Sequence, residues 1–183
     1  MKKYDSVRKI TVTAVCIALC CVLPTALHAV GLGQALSPLH LPVLLCGVLC
    51  GGVYGLFCGI AGPVLSSLIT GMPPAMALAT MVPELLVYGL VTGVMLRLVR
   101  TKNLYVNLYI ALITAMILGR VAGGVASAFV YTGRGEAFTL AIWAASYFVG
   151  TLPGMVSQLI LIPLLVFTLM KAKVIPQGLV KAV

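Results

Sequence analysis

Charged side chains are rare in this chain, so the few inside its long apolar runs draw notice first. Glu84 and Arg120 are two of them. A charge held within a membrane segment is expensive, and by default it marks a functional site. The run holding Glu84 is expected to enter from the outer face near Ala75, which sets Glu84 roughly 13 Å deep at 1.5 Å per residue. The run holding Arg120 is expected to leave near Val130, which sets Arg120 roughly 15 Å deep by the same reckoning. Equal depth in the outer half allows the two to meet. Two readings stand open: an ion pair that only ties two helices together, or a pair that also faces a ligand. In the second, the guanidinium donates its remaining hydrogen bonds to a carboxylate.

Aromatic residues fall at the same level. Trp143 and Tyr147 are four apart, hence on one helix face, and counting from Phe138 leaves them in the outer half. A Trp near an interface also suits an aromatic belt, but the shared depth makes both candidates for a pocket wall. Tyr88, one turn below Glu84, is a candidate to complete it. His40 and Gln34 belong to the first outer loop and Met72 to the next, so a lid made of those loops would bring them to a substrate. His28, at the end of the first helix, is ambiguous. Gln158 lies deeper and is expected to pack or hydrogen-bond within the bundle.

Catalytic and metal chemistry find little support. No Ser-His-Asp set and no paired catalytic carboxylates occur, and the phosphate-binding run G-x-x-x-x-G-K-[ST] is absent. No enzyme activity and no cofactor are expected. All six cysteines (Cys16, Cys20, Cys21, Cys46, Cys50, Cys58) lie in apolar runs. The pairs Cys16–Cys20 and Cys46–Cys50 have helical spacing, but no His or carboxylate completes a metal site. They read as small buried hydrophobes.

These residues need a scaffold, and composition names its class. Of 183 residues, 62% are hydrophobic and 8% charged, against about 25% charged in a soluble domain. The expectation is an all-α integral membrane protein, with six transmembrane helices in one bundle spanning residues 1–183. Short basic tails cover 1–6 and 171–183. Helices are expected over about 6–30, 41–51, 53–70, 75–98, 104–130 and 138–170. The second is short for a crossing that needs about 20 residues. The last is too long for one straight crossing, and Pro153 and Pro163 are expected to kink it.

The net charge of +9 comes from twelve basic and three acidic residues. Ten of the basic residues cluster: Lys2, Lys3, Arg8, Lys9; Arg97, Arg100, Lys102; and Lys171, Lys173, Lys181. Each cluster flanks an apolar run, as cytoplasmic segments do, and no aromatic residues interleave as a nucleic-acid surface would require. Six spans put all three clusters on one side, so both termini are expected in the cytoplasm. Five or seven spans would separate the termini. Glycines recur at helix-packing spacing, as at Gly47, Gly51, Gly55 and Gly59, and again at Gly119, Gly123 and Gly124.

Ala14 and Ala18 form an A-x-x-x-A step in the first helix. The stretch from Ser37 to Pro74 reads SPLHLPVLLCGVLCGGVYGLFCGIAGPVLSSLITGMPP. With six helices in this length, a polar first loop leading into L-x-L-P-V-L-L-x-G, and a Gly-rich connection followed by a G-P step, the chain resembles the substrate-binding S component of an energy-coupling factor (ECF) vitamin transporter. The resemblance implies a vitamin site near the outer face. It implies docking through the Ala14–Ala18 step on a membrane coupling subunit driven by two ATPase subunits. Toppling of the loaded subunit would then deliver the substrate inward.

Under that reading the substrate is a water-soluble vitamin or precursor in the cell membrane's outer half: pantothenate, riboflavin, a B6 vitamer or a similar heterocycle. Arg120 suits an anionic group and Glu84 a donor-rich ring, and the sequence does not choose. The main alternative is a small membrane scaffold without a ligand, in which Glu84 and Arg120 pair only with each other and the outer half is packed shut. A lipid-directed membrane enzyme acting through Glu84 would need further polar groups, and the sequence offers few.

Overall fold

The computed structural model describes residues 2–29, 31, 37–99 and 101–172. Most of those residues are helical, and none is in a strand. In chain order they form α1 (Lys2–Ala29), α2 (His40–Cys50), α3 (Gly52–Thr70), α4 (Ala75–Leu98), α5 (Leu104–Thr132), α6 (Leu140–Ala144) and α7 (Leu152–Lys171). A π-helical turn, Ala145–Val149, continues α6. Among the described residues five segments are long and apolar enough to cross a membrane: Ser6–His28 within α1, and α3, α4, α5 and α7. The expected second span exists as α2. With eleven residues it measures about 16 Å and does not cross alone.

Burial explains why α2 can be so short. All of its residues except Leu41 are buried, because α1, α3, α4 and α7 pack around it. Its ends therefore meet protein rather than lipid, where unsatisfied backbone groups would be prohibitive. The turn into α3 is a single residue, Gly51, at φ +97°, a conformation that favours glycine. From this turn α2 and α3 run antiparallel along α4. A Cβ at Gly47 would lie 2.7 Å from the Gly89 carbonyl oxygen, and one at Gly55 would lie 2.4 Å from it. One at Gly89 would lie 2.1 Å from the oxygen of Gly55. Backbone meets backbone here, as the small-residue spacing led us to expect.

Contacts order the two ends of the bundle. The tip of the α2–α3 hairpin sits against Gly93, near the end of α4. The Cys50 thiol donates to the Lys9 carbonyl of α1 over 3.6 Å. Tyr105 at the start of α5 stacks on Phe167 near the end of α7, with centroids 3.9 Å apart. Thus Lys9, Gly51, Leu98, Leu104 and Phe167 share one end. The opposite end holds the α3–α4 turn and the segment joining α5 to α6.

The expected sixth helix over 138–170 needs correction. It is interrupted rather than kinked. The π turn closes with the Gly150 N–H on the Ala145 carbonyl, Thr151 leaves helical geometry, and Pro153 then stands in the first turn of α7. Proline suits that place because its missing N–H has no intrahelical partner there. Pro163 lies inside α7. The cysteines also do more than fill space. The Cys20 thiol donates to the Leu39 carbonyl and the Cys46 thiol to the Thr13 hydroxyl, so with Cys50 they join α1 to the segment and helix that follow it.

Candidate functional site

The end opposite the basic helix ends holds a cavity of about 790 Å³. Its wall draws on α1, α2, α4, α5, the π-helical turn and the connections between helices. Pro24 and His28 come from α1, and Ser37 to His40 from the entry to α2. Met72, Pro73 and Pro74 come from the α3–α4 turn, and Ala77, Met81 and Glu84 from α4. Arg120 and Tyr131 come from α5, and Ser146, Tyr147, Gly150 and Thr151 from the interrupted segment. The α4 contribution follows helical spacing, so one face of α4 forms one wall.

The floor is a buried charged triad. Arg120 Nη1 forms an ion pair with Glu84 Oε1 at 3.2 Å, and His40 Nε2 lies within hydrogen-bond distance of the same oxygen at 3.2 Å. These residues are only 2–3% exposed. His40 also meets the Tyr88 ring edge-on, with centroids 5.1 Å apart. The Arg120 guanidinium carbon lies 5.7 Å from the centre of the Tyr147 ring, within reach of a cation–π attraction. Arg120 Nε and Nη2, His40 Nδ1 and the Tyr88 hydroxyl are buried without a hydrogen-bond partner. Buried orphans of this kind are destabilising by about 1–3 kcal/mol each, and by more for charged groups.

Glycines on α5 admit the aromatic residues. Gly123 lies beside Tyr147, where a Cβ would sit 2.8 Å from the ring, and Gly124 lies beside Trp143 at 2.1 Å. Tyr147 donates its hydroxyl proton to the Gly123 carbonyl at 3.0 Å, and Ser127 donates to the Tyr147 oxygen at 2.7 Å. Trp143 Nε1 donates to the Arg120 carbonyl at 3.1 Å. These bonds hold the α6 segment, none of whose residues is buried, against α5. Across the mouth, Ser66 and Ser67 donate to the carbonyls of Met72 and Pro73, each at 2.7 Å. They pin the α3–α4 turn in place.

The sequence candidates divide accordingly. Glu84, Arg120, Tyr147, His40 and Met72 line the cavity together. His40 is not in an outer loop: it is the first residue of α2, brought down to the floor because Leu39 reaches the level of Cys20. Trp143 stands behind the wall rather than in it, bordering a smaller apolar recess of about 330 Å³ with Phe138 and Val121. Tyr88 lies beneath the floor and does not line the cavity. Gln34 lies outside the described residues. Gln158 is buried within the bundle, packed there without a hydrogen-bond partner for either side-chain polar atom. Ala14 and Ala18 are exposed on α1, away from the cavity. Ser127, Met81 and Thr151 had not been singled out. Ser127 was within reach, since it falls seven residues after Arg120 on one face of α5. Among the described residues no three His, Cys, Asp or Glu side chains converge as a metal site would require.

Comparison with known proteins gives one match. A family model described as ECF transporter, substrate-specific component, matches residues 8–176. No curated protein and no solved structure matches.

Proposed function

We propose, since this chain belongs to the family of ECF transporter substrate-specific components, that its outer cavity captures a water-soluble vitamin or vitamin precursor. Membership makes the chain a multi-pass membrane subunit that confers substrate specificity on a transporter, and a transport subunit rather than a catalytic one. The finer assignment rests on the cavity. Its volume of about 790 Å³ falls in the range of small-molecule sites, which are mostly apolar with a few placed polar groups. The triad at its floor supplies those groups. A scaffold without a ligand calls for an outer half packed shut and a Glu84–Arg120 pair closed on itself. A large cavity, and a Glu84 that also meets His40, speak against that reading.

Topology and partners follow on the same footing. In our reading the chain crosses the membrane six times, with α2 and residues 37–39 ahead of it acting as one crossing inside the protein. The described basic residues Lys9, Arg97, Lys102 and Lys171 flank the end shared by Gly51 and Phe167, which supports a cytoplasmic placement of that end and of both termini. The cavity then faces outward from the cell membrane. The exposed Ala14–Ala18 step is the proposed contact with a membrane coupling subunit, whose two ATPase subunits supply the energy.

The carrying observation is the open cavity over a buried charged floor. Its test is native mass spectrometry of the full chain purified in lipid nanodiscs, followed by thermal-shift titration with pantothenate, riboflavin and pyridoxine. Retention of a small molecule, or saturable stabilisation by a vitamin, is expected. A chain that neither retains nor binds any such molecule refutes the assignment.

A further inference from the structure

We propose that the substrate carries a single carboxylate, which docks on the unpaired edge of Arg120; this rests on the capture function proposed above. The inference starts from the hydrogen bonds Arg120 does not make. Its Nη1 is engaged by Glu84, while Nε and Nη2 are buried and have no partner. Those two nitrogens form one edge of the planar guanidinium, and their parallel N–H bonds match the two oxygens of a carboxylate. The Tyr147 ring lies 5.7 Å from the guanidinium carbon and covers a face of the group, which favours approach in the plane. A neutral amide offers this edge one uncharged oxygen in place of two charged ones, and leaves a buried donor poorly met.

Charge counting points the same way. Glu84 is the only acidic residue among the described cavity-lining residues, whereas Arg120, His40 and His28 can each carry positive charge. The one carboxylate already spends Oε1 on both Arg120 and His40. A cationic ligand would compete with Arg120 for it, at the expense of a buried pair. The free edge of Arg120 offers two N–H donors, which the two oxygens of one carboxylate fill.

The test uses wild-type full chain in nanodiscs and matched pairs differing at the acid: pantothenate with pantothenol, nicotinate with nicotinamide, and biotin with biotinamide. Riboflavin and thiamine serve as neutral and cationic probes, and any co-purified molecule is identified by native mass spectrometry. The expected result is binding of an acid, or a co-purified acid, with its neutral partner weaker by about a hundred-fold or more, as for a site left with unpaired groups. Arg120→Gln should bring the acid down to the level of its partner, and Arg120→Lys should restore part of the difference. The pair comparison on wild-type protein stands even if Arg120→Gln fails to fold. Equal binding of acid and neutral partner, or a neutral or cationic molecule as the bound species, overturns the carboxylate and leaves vitamin capture intact. Absence of any bound small molecule overturns both.

Discussion

Removing the charge of Glu84 tests the triad most directly. In Glu84→Gln the Arg120 guanidinium stays 2% exposed and loses its counter-ion. The Coulomb attraction at the observed 3.2 Å is about 5 kcal/mol at an effective dielectric near 20. That is close to the roughly 3–5 kcal/mol lost when one partner of a buried pair is removed. For a chain of this length such a loss lowers the melting temperature by roughly 6–20 °C. The double variant Glu84→Gln with Arg120→Met removes both charges and keeps an acceptor for His40, so it should recover most of the loss, to within about 2 kcal/mol of wild type. Thermal unfolding in nanodiscs measures both variants, and ligand titration of the same samples measures the site. The double variant should be stable and unable to bind. Wild-type melting of Glu84→Gln refutes the buried pair. A double variant that still binds with wild-type affinity shows that the pair only joins α4 to α5.

Three further outcomes follow from the geometry. Gly89→Ala puts a Cβ 2.1 Å from the Gly55 oxygen, where both sides are backbone and α3 must move, so destabilisation at or above about 3 kcal/mol is expected. Gly135→Ala, with open space around it but φ +74°, should lose only about 1–2 kcal/mol, and equal melting of the two variants contradicts crowding as the cause. Ser66→Ala combined with Ser67→Ala removes the serine donors from the carbonyls of Met72 and Pro73, leaving Met72 only the longer 3.3 Å bond from Thr70. Each lost bond should take about 1 kcal/mol from stability and ligand dissociation should quicken; stopped-flow release rates equal to wild type count against a pinned rim. Trp at Ala14 and Ala18 should leave ligand binding unchanged, because both side chains are exposed, but abolish co-purification with the coupling subunit. Intact co-purification removes the docking assignment.

Depth along single helices was legible in the sequence, whereas the path between helices was not. Residue counting placed Glu84 and Arg120 at one level, and they meet at 3.2 Å, because each helix is continuous from its outer end to that residue and rises 1.5 Å per residue. The glycine spacing likewise foretold the α2–α3–α4 seam, where only hydrogen fits between backbones. His40 was misplaced because the buried residues Pro38 and Leu39 ahead of it leave no periodic trace, and α2 is apolar on every side. Such a helix gives no face from which to read direction.

The break at Gly150 and Thr151 was hidden for a related reason. Pro153 signals a helix boundary, but proline inside a membrane helix signals a kink just as well, and Pro163 indeed lies within α7. What separates the two cases is what surrounds them. Pro163 is buried in the core, whereas no residue from Leu140 to Val149 is buried. A segment with so little packing keeps its place by specific bonds, here Trp143 to the Arg120 carbonyl and Tyr147 to Gly123 and Ser127. Those bonds fall on the turns of α5 that follow Arg120. The residue at the floor of the cavity and the segment forming one of its walls are thus held to the same stretch of helix, so displacing either alters the shape a ligand meets.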